Sequence, residues 1–226
     1  MQFETFALRI HFLLWGTFAA TIRNRSVTGD YRRTSAPRLV LEFDNGQVTL
    51  WSASLRFLDT PDASKEYDFA ADVLSDQWDP EAALRKARAF RRAEIADVLL
   101  DQAIFAGVGN IIKNEILFRT RTSPFTKVWR LPDRRLKDLV SDARAFSFQF
   151  LEWRRVFALR KHLEIYGRSV CPACGGRVTR AIHGMRGRRS FFCARCQRVR
   201  RTRSGKTTRR LSRRNSRHRA EATSIY

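Results

Sequence analysis

Leu99-Leu100-Asp101-Gln102-Ala103-Ile104-Phe105-Ala106-Gly107-Val108-Gly109-Asn110-Ile111 is the stretch on which the fold turns. An apolar-periodic segment runs into Gly107-Val108-Gly109-Asn110, and a second begins at once and passes through Glu115-Ile116-Leu117-Phe118-Arg119. The spacing predicts a helix over about 94–105, with Ile95, Val98, Leu99 and Ile104 on its buried side. The glycines break it, and a further helix runs from an Asn110 cap to about Arg119. Glycines let a backbone approach a ligand closely, and a helix N-terminus presents free N–H groups, so a phosphate is the natural occupant of Gly107, Gly109 and Asn110. Asn110 could cap the helix, donate to the phosphate, or both. A short glycine turn between helices is also, commonly, only a turn.

Outward from this stretch, Asp79-Pro80-Glu81 starts an earlier helix: Asp79 can cap, Pro80 suits the first helical position, and Glu81 suits the positive end of the dipole. That helix carries Ala82, Ala83, Leu84, Ala87 and Phe90 over 81–92. Pro132-Asp133 opens a long helix to about Arg155, with Leu136, Leu139, Val140, Ala143 and Phe146 at helical spacing. Residues 1 to about 58 alternate as strands: Phe6, Leu8 and Ile10, then Leu39, Leu41 and Phe43 before Asp44-Asn45-Gly46, with Val48, Leu50 and Trp51 beyond. The Asn-Gly pair predicts a tight hairpin turn of positive φ within an antiparallel sheet or sandwich. Residues 59–78 read as a connector.

Toward the C-terminus, Cys171-Pro172-Ala173-Cys174 is followed after eighteen residues by Cys193-Ala194-Arg195-Cys196. Zn²⁺ takes four thiolates in a tetrahedron, and each C-x-x-C knuckle supplies two from one turn. With Cys171, Cys174, Cys193 and Cys196 filling every position, no place is left for water, and one structural Zn²⁺ is expected. The bland alternative is four buried cysteines or a redox pair. Val178, Ile182, Phe191 and Phe192 between the knuckles read as a β-hairpin.

The 226 residues carry 44 basic and 22 acidic side chains, a formal charge of +22. That balance favours a polyanion. No apolar run approaches the roughly 20 residues of a spanning helix, and no signal peptide is visible, so the expectation is a cytoplasmic, nucleoid-associated protein without a membrane partner. From Arg198 to Arg219 there are 11 basic residues and no acidic one. This tail is expected to be disordered until bound and to tether DNA by neutralising phosphates.

Leu99-Leu100-Asp101-Gln102, Gly107-Val108-Gly109-Asn110-Ile111 and Glu115-Ile116-Leu117-Phe118-Arg119 together resemble the helix–two-turn–helix signature of the formamidopyrimidine/endonuclease VIII DNA glycosylases. That family also has a C-terminal zinc finger of this cysteine spacing, and Ser190–Gln197 is similar to its end. Leu8 to Gly16 is similar to the strand and loop ahead of the family's interdomain region, most like the endonuclease VIII branch. The resemblance covers residues 3 to about 197. It implies an α+β fold: a truncated N-terminal antiparallel β-sandwich domain with connector (1–78), a helical helix–two-turn–helix domain (79–165), a β-hairpin zinc finger (166–197) and the tail (198–226), with DNA in the cleft between lobes.

The resemblance also implies roles. Asn110 would contact a phosphate beside the damaged nucleotide, and Arg188, five residues before the third cysteine, would contact the lesion phosphates; Arg186 or Arg189 could take that part. Leu13, Leu14 and Trp15 would fill the hole left by an extruded base, since apolar wedges replace lost stacking; the plain alternative is that they are core. His11 would be structural or DNA-proximal rather than a catalyst. Family members begin Met-Pro-Glu, and the exposed proline amine attacks the sugar and forms a Schiff base. This chain begins Met1-Gln2-Phe3-Glu4, so the proline, the glutamate and an assisting lysine have no counterpart, and no catalytic residue is carried over. Three readings follow: a monomeric glycosylase/AP lyase that excises oxidised bases from duplex DNA and cuts abasic sites, a binder of damaged DNA without the nucleophile, and an RNA-binding zinc ribbon. The Gly107–Asn110 signature argues against the last.

Overall fold

The computed structural model describes residues 1–23, 25–29, 36–62 and 67–198, with Leu14 and Trp15 described by their backbone only. The elements are β1 (Ala7–Ile22), β2 (Arg25–Thr28), β3 (Leu39–Phe43), β4 (Gly46–Leu58), α1 (Pro80–Ala89), α2 (Ile95–Val98), α3 (Asn110–Arg119), α4 (Asp133–Arg155), α5 (Leu159–His162), β5 (Thr179–His183) and β6 (Arg188–Phe192). The basic tail lies outside the described residues from residue 199 onward.

The first four strands form an antiparallel sheet in the order β2-β1-β4-β3. Pairs such as Phe18↔Leu50, Ala20↔Val48, Ala20↔Val27 and Leu41↔Val48 fix which side chains share a face. Because successive residues point to opposite faces, one face collects Phe18, Ala20, Ile22, Val27, Leu39, Leu41, Phe43, Val48 and Leu50. The other holds Thr17, Thr21, Glu42, Gln47 and Thr49. The strand alternation of the sequence is this division. Of the expected sandwich, the described residues form one four-stranded layer; the only other sheet among them is the β5–β6 hairpin.

Two local expectations change. The β3–β4 hairpin is where the sequence puts it, with Phe43 paired to Gly46, but neither Asn45 nor Gly46 has positive φ. Gly46 is instead the first residue of β4, and a Cβ there would collide with the Thr21 carbonyl of the neighbouring strand. The segment Leu13-Leu14-Trp15 is not a loop between elements. It sits inside β1, where the register shifts between Phe12↔Ala53 and Thr17↔Trp51, so that residues 13–16 stand opposite Ser52 alone. Such a bulge bends a strand and re-aims its side chains. Leu13 is 52% exposed, which removes the core reading for that residue.

The helical part is built as the apolar periodicity requires. Leu136, Leu139, Val140, Ala143 and Phe146 of α4 are buried together with Ala83, Leu84 and Ala87 of α1 and Ile95, Val98, Leu99 and Ile104. Asp79 caps α1 as expected, its carboxylate accepting from Ala82 N at 2.9 Å. Phe90, expected within a helix over 81–92, lies just past the helix end and is exposed. The helix expected over 94–105 stops as α2 at Val98. The Asp101 carboxylate accepts from Ala103 N at 3.0 Å, a turn that competes with the helical ladder. Ile104 and Phe105 remain buried without it. Among the described residues no helix is long and apolar enough to cross a membrane.

Candidate nucleic-acid interface

Gly107 holds the turn before α3 at φ +91°, in the left-handed region where a side chain is strained. Gln102 pins that turn: its Oε1 accepts from Gly107 N at 3.1 Å and its Nε2 donates to the Val108 carbonyl at 3.1 Å. Gly109 is different. Its φ is an ordinary −97°, and a Cβ on it would meet nothing within 4 Å. Neither backbone conformation nor packing calls for glycine there, which leaves close approach from outside as the use of the gap.

Gly109, not Asn110, is the N-cap of α3, so Asn110 begins the first helical turn. Its side chain makes no hydrogen bond among the described residues, and Oδ1 is buried without a partner. A native amide is seldom left so. Beside it stand the free N–H groups of a ten-residue helix.

Three polar residues follow on α3, and all are buried: Lys113, Asn114 and Glu115. Asn114 Nδ2 donates to the Asn110 carbonyl at 2.7 Å and lies 3.4 Å from the Arg189 carbonyl, while its Oδ1 accepts from Phe191 N at 2.7 Å. Lys113 Nζ donates to Ser190 Oγ at 2.8 Å and to the Arg189 carbonyl at 3.3 Å. Burial pushes the Lys113 amine down to about 8; the Asp97 charge opposes this and the Arg188 charge adds to it. Glu115 accepts from the backbone N–H groups of Glu164, Ile165 and Tyr166 at 2.8, 3.1 and 2.8 Å. Burial raises its carboxyl, and these three donors oppose the rise. Sequence reasoning gave none of the three a role, quoting Glu115 only as part of the signature and passing over Lys113 and Asn114. The signal was there: Lys-Asn-Glu at consecutive positions of an otherwise apolar helix must place at least one polar side chain inward.

The Lys113 and Asn114 contacts seat the β5–β6 hairpin on α3. Phe118 of α3 shares a core with Ile165, Cys171, Val178, Phe191 and Cys193. The four cysteine Sγ atoms lie within 4.8 Å of one another. A tetrahedron with metal–sulfur bonds of 2.3 Å has edges of about 3.8 Å, and the pairs Cys171–Cys196 and Cys174–Cys193 stand at 3.9 and 3.5 Å. The donor set therefore fits a closed four-thiolate metal site. Gln197 ties the second knuckle down, accepting from Cys193 N at 2.9 Å and donating to the Thr122 carbonyl at 2.9 Å.

Arg188 opens β6, directly after the turn Gly184–Gly187, and is exposed. Arg186 is engaged with Asp101 at 3.4 Å, whereas Arg188 and Arg189 have no carboxylate partner among the described residues. The structure thus brings Asn110 and the Arg188 strand together through one residue, Asn114. It places Leu13 apart from them, on the sheet. Between sheet and helices lies a cavity of about 850 Å³ lined by Arg9, His11, Tyr67, Phe69, Gln102 and Gly107, among others. The Tyr67 hydroxyl donates to Asp72 at 2.8 Å, and burial with this bond pushes it up to about 12.

The family model described as "Formamidopyrimidine-DNA glycosylase H2TH domain" matches residues 69–147. The chain is 30% identical over 200 residues to mouse (Mus musculus) endonuclease 8-like 3, covering 87% of this chain and 32% of the relative. It is 33% identical over 198 residues to bovine (Bos taurus) endonuclease 8-like 2, covering 84% and 58%. The chain therefore spans about a third to three fifths of the length of these relatives. Formamidopyrimidine-DNA glycosylase of Lactococcus lactis, solved non-covalently bound to DNA containing an abasic site, has the same fold at TM-score 0.70 and 20% identity, covering 86% of this chain and 75% of that one. With a four-cysteine hairpin docked on them and relatives of one kind, residues 69–147 form the helix–two-turn–helix domain of the formamidopyrimidine-DNA glycosylases, and the chain around it is similar to the endonuclease 8-like proteins.

Proposed function

We propose that this chain grips duplex DNA at damaged or abasic sites in base-excision repair, as part of a bifunctional glycosylase/AP lyase of the endonuclease VIII type. The observation that carries the reading is the Asn110 side-chain amide, which makes no hydrogen bond among the described residues, beside the open space at Gly109 and linked through Asn114 to the Arg188 strand. A backbone phosphate seated there accepts from Asn110 Nδ2 and from the free N–H groups of α3, while Oδ1, an acceptor, makes no bond to it. Arg188 reaches the same backbone from the hairpin. Leu13, with Leu14 and Trp15 on the bulge of β1, enters the stack where a base has left it. The four cysteines hold one structural Zn²⁺, which braces the hairpin and takes no part in chemistry. The protein acts as a monomer in the nucleoid.

In the full reaction a secondary amine attacks the sugar C1′, the damaged base departs, and elimination through the resulting Schiff base cuts the strand. Asn110, Arg188 and the β1 bulge supply the grip. Two measurements separate the glycosylase/lyase from a pure damaged-DNA binder. Asn110→Ala and Arg188→Ala should each weaken binding to an abasic-site duplex about tenfold or more, the size of a lost charge-assisted hydrogen bond. Unchanged affinity in both variants overturns the DNA site. Borohydride trapping on the same duplex then tests the chemistry: a covalent adduct establishes the lyase, and tight binding without an adduct establishes the binder.

A further inference from the structure

The hairpin is fixed to the helices by a second set of contacts that the DNA grip leaves unexplained. On its inner side His183, the last residue of β5, points both nitrogens at partners. Nδ1 lies 2.7 Å from Glu94 Oε2, and Nε2 lies 2.8 Å from Ser190 Oγ. Ser190 Oγ in turn accepts from Lys113 Nζ at 2.8 Å. Ser190 is wholly buried and is the third residue of the strand that Arg188 begins. The His183 ring also packs on Phe125, with centroids 4.3 Å apart. Glu94 is steadied from the far side by Lys127 at 3.5 Å. The result is a continuous chain of hydrogen bonds from the residue before α2, through both strands of the hairpin, to the middle of α3.

Such a chain is not needed to fold the finger, whose own core is Val178, Phe191 and the cysteines. It ties the strand bearing Arg188 to both helices that frame the glycine turn. Buried polar networks of this kind select one arrangement over near alternatives rather than adding much stability. Antiparallel strands fix register poorly where a face is not buried, and β5 is largely exposed apart from Ala181 and His183.

We propose that His183, with Glu94 and Ser190, is a positioning residue that holds Arg188 at the correct distance from Asn110 for one stretch of backbone. The proposal rests on the DNA reading above and deepens it. In it, Lys113 is the buried donor that orients the Ser190 hydroxyl, so that Ser190 offers its hydrogen or a lone pair to His183 in a single sense.

The test uses the full chain, zinc-loaded, and an abasic-site duplex with an undamaged duplex beside it. His183→Phe keeps the ring against Phe125 and removes both hydrogen bonds; Ser190→Ala breaks the relay one bond further on. Each should weaken abasic-duplex binding roughly tenfold, as a lost charge-assisted contact does, with zinc content unchanged. Glu94→Gln, which can still accept from His183, should restore most of the affinity lost in Glu94→Ala. In an Arg188→Ala background His183→Phe and Ser190→Ala should have no further effect, because the residue they position is gone. If they still lower affinity there by the same factor, or if neither affects binding while Arg188→Ala does, the positioning role is overturned. If Arg188→Ala itself has no effect, it is the DNA reading that fails, and the two failures are distinct. Should His183→Phe lose zinc, Ser190→Ala decides the matter alone.

Discussion

The four-stranded sheet and the helix–finger unit solve the same problem in opposite ways. In the helix–finger unit nearly every inward polar group has a partner. Glu115 serves three backbone donors, Asn114 serves three hairpin and helix groups, and Lys113 is held by Ser190. The Asn110 amide is the exception. In the sheet the polar face holds an orphan of its own, the buried Thr17 Oγ1, and the apolar face, buried at Leu50, stands open toward its edges among the described residues. Ile22, Val27 and Phe43 are 51%, 59% and 43% exposed, and none of the sheet's residues joins either buried hydrophobic cluster. The lesson is that an unsatisfied group means different things in the two regions. One orphaned amide in a closed unit marks a place for a ligand. An open apolar face marks a place for more protein.

Four experiments break or sharpen this contrast. The largest effect is expected from the metal site: Cys174→Ala removes one of four thiolates, and structural zinc contributes on the order of 10 kcal/mol of folding free energy. The hairpin should unfold and DNA binding vanish, checked by zinc content and mobility shift; normal binding would show that the finger is not part of the DNA site. Next, Glu115→Leu strands three backbone N–H groups, that of the buried Ile165 and those of the half-buried Glu164 and Tyr166. It should cost about 3 kcal/mol or more in urea unfolding, with Glu115→Gln costing less because one acceptor oxygen survives. A loss below 1 kcal/mol would mean the closed unit is looser than its contacts imply.

The third experiment uses pH. The Lys113 amine titrates at about 8 in the folded chain and near 10.4 when unfolded. Between those values the unfolded chain binds more protons, so stability should rise with pH across that window. Lys113→Met should flatten the rise; an identical slope in both proteins removes the buried charge from the account. The smallest effect belongs to the sheet. Val27→Thr and Phe43→Thr should shift stability by no more than about 0.5 kcal/mol, as exposed positions do, and should raise solubility. A cost of core size would show that something covers that face and would end the contrast.

Much of the candidate site was legible before the fold. Two C-x-x-C pairs eighteen residues apart admit few uses, because a tetrahedral thiolate site needs two ligands from each of two tight turns. Gly107-Val108-Gly109-Asn110 between apolar helices was equally plain. The length of α2 was misread because periodicity registers burial, and Ile104 and Phe105 are buried without being helical. The Asn45-Gly46 turn was misread because a close neighbouring strand, not positive φ, accounts for the glycine.

By itself the sequence determined the class of elements, the four-cysteine cluster and the glycine turn, since each rests on short-range spacing that steric and coordination geometry leave little freedom to reinterpret. Only the tertiary structure decided that Leu13 lies on a bulge, that Asn110 follows the cap rather than forming it, and that Asn114 and His183 join the hairpin to the helices. Those facts depend on contacts between residues up to 89 positions apart. Local propensity carries no record of such distant partners, because the free energy that selects them arises only when both surfaces leave water together.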